Sequence, residues 1–172
     1  MKATKLVLGT AQFGLDYGIN NQTGRPAKKD IAHILDYAYQ DSVVELDTAD
    51  AYGDASEVLR DYLKHSKNKF SIMSKSSTDS KFSFQESFLI SLERLGQEKL
   101  AGYYFHKFSD FLEFSQFDQV QSLKSEGLLN SLGVSLYTNE ELKKVVSHPE
   151  VDVIQLPMNL LDRDEEKLEL LK

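Results

Sequence analysis

The stretch VVELDTADAYGDASEVL, Val43 to Leu59, decides how the chain is read. An apolar, β-branched run at Val43–Leu46 has strand length and ends in Asp47. Asp50 and Tyr52 follow, and Asp54 opens a segment in which Val58, Leu59, Tyr62 and Leu63 recur at helical period. Strand, polar mouth and amphipathic helix stand in that order. A polar loop is the ordinary explanation of an Asp-Tyr pair, and Asp50 keeps that explanation as a loop acid. The other strand ends decide whether Asp47 and Tyr52 do chemistry.

The same alternation recurs along the chain. Strand-length apolar runs lie at Leu6–Leu8, Val43–Leu46, Phe70–Met73, Leu100–Phe105, Leu132–Leu136 and Val151–Leu156. Between them, Ile31, Ile34, Leu35 and Ala38 mark a first helix and Phe88, Leu89, Leu92 and Leu95 a third. Asp54 with Glu57, Ser83 with Glu86, and Thr138 with Glu141 have the spacing of reciprocal helix caps. Gly96 and Gly127 stand where the third and fourth helices should stop. The fourth helix is expected to carry Phe108, Phe111, Phe114 and Phe117, a stripe suited to packing on a sheet rather than stacking on a cofactor. A sixth is expected to start after Arg163 and still run, without a stop signal, at Lys172.

Six strand-helix units in strict alternation imply an α/β fold of parallel strands with right-handed crossovers. Two architectures satisfy this: an open doubly wound sheet, or a closed eight-stranded barrel. In both, ligands meet the carboxyl ends of the strands.

Composition narrows the partners. With 172 residues, 41% hydrophobic and 27% charged, the chain suits a single domain over residues 1–172. A net charge of -7 and a pI near 5.1 argue against nucleic acid as a partner. There is no cysteine, so thiol chemistry and disulfides are excluded. The first apolar run is too short for a signal peptide and no window approaches the ~20 apolar residues of a membrane span, so a cytoplasmic protein without a membrane partner is expected. His33, His65, His106 and His148 are scattered and no metal site is expected.

The strand ends carry the chemistry. The first opens into LGTAQFGLDYGINNQTGRP, which lacks both the G-x-G-x-x-G and the P-loop patterns. The second presents Asp47 and Tyr52, the third Lys75, and the fourth His106. A phenol with an ordinary pKa near ~10 is a poor acid, and an ammonium beside it eases proton release. Lys75 is placed to do this to Tyr52, Asp47 to hold Lys75, and His106 to orient a carbonyl. Such a group polarises and protonates a carbonyl oxygen, and a cofactor must bring the hydride.

With those residues assembled, DTADAYG, Lys75 and His106 resemble the aldo-keto reductase family. LGTAQFG resembles its first strand and loop, LGVSLYT its fifth strand, and VIQLPMNLLDR its sixth. The resemblance implies a (β/α)8 barrel and reduction of an aldehyde or ketone, or the reverse oxidation, with NADP(H) or NAD(H). It implies Tyr52 as general acid, Lys75 lowering its pKa, Asp47 holding Lys75, and His106 orienting the carbonyl. It further implies that Gly9, Thr10, Ala11 and Asp47 lie near the nicotinamide and its ribose, and that Ser135 and Gln155 hold the carboxamide. The partner it implies is a small carbonyl substrate.

Two departures stand out. After Ser135 many members carry an asparagine that also grips the carboxamide, and Leu136 stands there instead. A complete barrel takes ~250 residues and eight units, whereas this chain supplies six. In the family the loops after strands seven and eight hold the phosphates. The expectation is therefore a barrel truncated to six units, a fragment that self-associates through open edges at strands one and six and binds dinucleotide weakly. Two other functions fit parts of the pattern: a Schiff-base lyase using Lys75, which leaves the residues of strands one, five and six without a role, and a regulatory module that keeps only the fold.

Overall fold

The computed structural model describes residues 5–76, 81–159, 161 and 164–171. Six strands form one sheet in sequence order: β1 (Leu8–Gly9), β2 (Glu45–Asp47), β3 (Ser71–Lys75), β4 (Leu100–Phe105), β5 (Leu129–Ser135) and β6 (Val153–Gln155). Every neighbouring pair is parallel. Among the described residues β1 and β6 do not pair, so the sheet curls into part of a (β/α)8 barrel and leaves two edges.

Strand limits follow hydrogen bonds rather than hydropathy. β2 takes in Asp47 and β3 takes in Lys75, because the ladder continues past the apolar runs. Thr48 N–H donates to the Met73 carbonyl at 2.9 Å and Ser76 N–H to the Tyr104 carbonyl at 2.8 Å. β5 starts at Leu129, three residues before its expected start at Leu132. The first and sixth strands are shorter than their apolar runs.

The helices are α1 (Ala11–Gly14), α2 (Lys28–Gln40), α3 (Ala55–His65), α4 (Phe84–Leu95), α5 (Phe108–Glu113), α6 (Phe117–Ser125), α7 (Asn139–Val145) and α8 (Glu165–Leu170). Ile31 and Leu35 of α2, Val58 and Leu59 of α3, and Phe88 and Leu95 of α4 form one core with Leu46, Ile72, Tyr103 and Leu132 of the strands. Each fully buried Leu, Ile, Val or Phe contributes about 1.5–3 kcal/mol over exposure. Ile34 and Leu89, expected on buried faces, fall outside the stripe and are 39% and 49% exposed.

Two of the three predicted caps form. Ser83 with Glu86 and Thr138 with Glu141 make reciprocal capping boxes. Asp54 makes no side-chain cap. Its carboxylate pairs with Arg25 at 2.6 Å and Glu57 pairs with Arg94 at 2.8 Å, so ion pairs across the fold displace the local cap. Gly96 and Gly127 end α4 and α6 at positive φ. In both cases the residue after the glycine donates its N–H back into the last turn.

The phenylalanine stripe is two helices, not one. Phe114 is extended and separates α5 from α6. Its role is still packing: Phe105 of β4 lies 5.6 Å from Phe111 and 5.0 Å from Phe114, centroid to centroid. The last helix spans Glu165–Leu170, inside its expected segment. Arg163 and Lys172, its expected limits, lie outside the described residues.

Tyr104 of β4 covers part of the concave face of the sheet. The Tyr104 ring lies over Gly102 and Gly133, and a Cβ at either would collide with it. Next to it Asp47, Met73, Tyr104, Val153, Gln155 and Met158 line a cavity of about 350 Å³.

Candidate active site

The site is built at the carboxyl ends of β2, β3 and β4. Asp47 pairs with Met73 in the register of β2 and β3, and Lys75 with Tyr104 in that of β3 and β4. Residues two apart share a face of a strand, so Asp47, Lys75 and Tyr104 all reach the concave side. The loop after β2 turns at Gly53, which has φ +60°. There it packs against α1 so closely that a Cβ on Gly14 would strike the Tyr52 carbonyl. This contact brings Tyr52 back over the sheet.

The four predicted catalytic candidates are brought together. Lys75 Nζ donates to both Asp47 carboxylate oxygens at 2.7 Å, to the Thr48 carbonyl at 3.0 Å and to Tyr52 Oη at 3.3 Å. The His106 ring stands edge-on to Tyr52, with centroids 6.0 Å apart and planes at 89°. Its backbone N–H is fixed by Ser76 Oγ at 3.3 Å. Its Nδ1 is buried without a partner among the described residues, an open hydrogen-bonding position.

Burial sets the protonation states. It lowers the Lys75 ammonium, against the opposing pull of Asp47. Burial, then the Lys75 charge, lowers His106 from its ordinary 6.5, so the imidazole is neutral at pH 7. Tyr52 departs from the sequence expectation. Burial first, and the Asp47 charge second, push its phenol up to about 12 instead of down. The physical reason is that the Lys75 charge is matched at 2.7 Å by the same carboxylate, so little net positive field reaches the phenol.

The predicted cofactor residues divide. Thr10 is buried and committed to the fold: both its N–H and its hydroxyl donate to the Asp47 carbonyl, at 2.9 and 3.0 Å, tying β1 to β2. Gly9 is exposed at the strand end with open space where a Cβ would stand, and Ala11 begins α1. Ser135 and Gln155 are register partners, and Gln155 Nε2 donates to Asp47 Oδ1 at 3.3 Å. Leu136, in the place of the family's asparagine, is buried in the hydrophobic core.

Sequence reasoning missed one part. Asp50 is not a solvated loop acid: its side chain is 8% exposed and bonded to Ser91 on α4. The signal available was the serine pair Ser87 and Ser91, one turn apart on an otherwise apolar helix face. Among the described residues no group of three or more His, Cys, Asp or Glu could hold a metal ion, and no helix is long and apolar enough to cross a membrane.

Comparison with known proteins agrees with this architecture. Two structures of proteins from Pseudomonas aeruginosa, each assigned as an aldo-keto reductase, superpose with TM-scores of 0.77 and 0.76 at 29% and 28% identity. They match 96% of this chain, which spans 68% and 67% of theirs. An aldo-keto reductase from the silkworm Bombyx mori, solved in complex with NADP, shares the fold with a TM-score of 0.65 at 19% identity. Here 90% of this chain matches 54% of that one. No curated protein matches the sequence. Residues 5–172 match the Aldo/keto reductase family, and the chain belongs to it.

Proposed function

We propose that this site reduces an aldehyde or ketone to the alcohol at the expense of NADPH or NADH, with Tyr52 as proton donor. One observation carries the reading: the phenol oxygen of Tyr52 accepts from Lys75 at 3.3 Å, which leaves its own proton free for a substrate oxygen. At about 12 the phenol is protonated in essentially every molecule at neutral pH, the state a donor needs. An alkoxide is far more basic than a phenolate, so the transfer runs downhill. The tyrosinate left behind faces the Lys75 ammonium and regains its proton from solvent. His106, neutral and edge-on to the phenol, orients the carbonyl oxygen.

The donor set fits a nicotinamide dinucleotide. Gln155 and Ser135 supply an amide and a hydroxyl for a carboxamide, and Asp47 supplies an acceptor for ribose hydroxyls. Gln155 and Asp47 border the cavity of about 350 Å³ on the concave face, and Ser135 stands beside Gln155 in the register of β5 and β6. The cofactor, when bound, supplies the hydride to the carbonyl carbon. Thr10 serves indirectly, by fixing the strand that carries Asp47.

A Schiff-base lyase is disfavoured. Lys75 is 2% exposed and its three ammonium N–H bonds are shared among four acceptors, so it lacks both the lone pair and the access that a nucleophile needs. The unpaired edges of β1 and β6 also support self-association of this chain.

The test is a panel of small aldehydes with NADPH and, in parallel, borohydride trapping. The reading expects loss of reduced-cofactor absorbance and no covalent adduct. No cofactor consumption together with an adduct on Lys75 would reverse it.

A further inference from the structure

Asp50 and Arg94 take no part in the proton path, yet both hold the loop that carries it. Asp50 reaches into the fold. Ser91 Oγ donates to its Oδ1 at 2.9 Å and Ser87 Oγ to its Oδ2 at 3.5 Å. The same two hydroxyls meet Tyr103 Oη at 3.3 and 2.8 Å. A carboxylate this buried is rare without such partners.

Arg94, in the last turn of α4, grips the loop from outside. Its Nη1 donates to the Asp50 carbonyl at 3.3 Å and its Nη2 to the Gly53 carbonyl at 2.8 Å. Nε and Nη2 also donate to the Glu57 carboxylate, at 2.8 and 3.1 Å, in the first turn of α3. The two carbonyls bracket Ala51 and Tyr52. One planar fork thus closes on both sides of the segment that ends in the phenol, a geometry that a lysine point charge does not reproduce.

We propose that Arg94, with Asp50 as its buried counterpart, is a positioning residue for Tyr52: it bolts the loop after β2 to α4 and so fixes the phenol 3.3 Å from Lys75. The proposal rests on the reading of Tyr52 as proton donor. Surface loops are ordinarily the least stable part of a fold, and this one passes through positive φ at Gly53. A displacement of the reacting group by about 1 Å costs about 10²-fold in rate. Holding the loop at two backbone carbonyls and one side chain removes that freedom.

The test uses the full chain as Arg94→Ala and Arg94→Lys, with the folded fraction measured by circular dichroism. Tyrosine is labelled with ¹³C at Cζ, and the Tyr52 resonance is assigned with Tyr52→Phe. The wild type should give one sharp line at a shift distinct from exposed tyrosines. In Arg94→Ala that line should broaden or move to the exposed position, and in Arg94→Lys it should move part of the way. Turnover should fall about 10²-fold in Arg94→Ala with KM for the aldehyde changed less than about threefold, and millimolar guanidinium should restore part of it. An unmoved Tyr52 line in a folded variant overturns the proposal, and Arg94 then serves only to join α3 to α4. A moved line in a chain that proves not to reduce carbonyls retains the positioning and removes the reductase reading. If neither variant folds, amide exchange of the wild type decides. The Tyr52 and Ala55 amides should exchange no faster than those of α4, and faster exchange overturns the proposal.

Discussion

Lys75 Nζ lies 2.7 Å from both carboxylate oxygens of Asp47, and only 2% of the lysine side chain is exposed. The pair joins a buried lysine to a partly buried carboxylate at the carboxyl ends of two adjacent strands. It is also the anchor for the Tyr52 phenol.

Removing one partner should therefore cost stability as well as the proposed turnover. Lys75→Met leaves the partly buried Asp47 carboxylate without its cation, and the loss should be at most about 3–5 kcal/mol. Adding Asp47→Asn should recover part of that stability and none of the turnover. Urea melts of the two variants check this. A single variant as stable as the wild type would show that the pair is not held as described.

Stability should fall on the alkaline side. Burial pushes the Tyr52 and Tyr104 phenols up to about 12 and raises Tyr103 further. Each of these keeps its proton longer folded than unfolded. Their contribution is complete below the ordinary tyrosine value near ~10 and is lost as pH rises towards about 12. Lys75, lowered by burial, works in the opposite direction, as one group against these three phenols and that of Tyr62, which burial also raises. Urea midpoints taken from about pH 8 to about pH 11 should drop, and Tyr104→Phe should flatten the drop. A midpoint independent of pH in that range would contradict these environments.

Much of this arrangement is legible in the sequence, and the reasons are local. Alternation, apolar runs and the order of Asp47, Tyr52, Lys75 and His106 at successive strand ends are one-dimensional signals. They identify a parallel β/α array and its candidate site. What escaped them depends on contacts far apart in the chain. Asp54 caps nothing because Arg25 is near it in space, and Asp50 is buried because Ser91, 41 residues on, turns towards it. The rise of the Tyr52 pKa is of the same kind. Proximity of a lysine was readable, whereas its neutralisation by Asp47 and the desolvation of the phenol are properties of the folded site.

The concave face should tolerate no added methyl at Gly133. Its Cβ would strike the Tyr104 ring, and overpacking of this kind costs about 1–3 kcal/mol. Gly133→Ala should lower the melting temperature, and Tyr104→Val in the same chain should recover part of the loss. Additive losses in the double variant would place the ring elsewhere.

Among the described residues the outer edges of β1 and β6 have no strand partner, and they should make the chain associate. Sedimentation velocity over a hundredfold range of concentration should show weight-average mass rising with concentration. A monomer throughout that range would reject association through the edges.

In the proposed reaction Tyr52 donates the proton and takes little part in binding the cofactor. Tyr52→Phe, compared with the wild type for turnover of an aldehyde and for NADPH affinity by fluorescence, tests it most directly. Turnover should fall by at least about 10³-fold while the dissociation constant for NADPH changes less than about threefold. Turnover within about tenfold of the wild type, or equal losses in turnover and affinity, would contradict it.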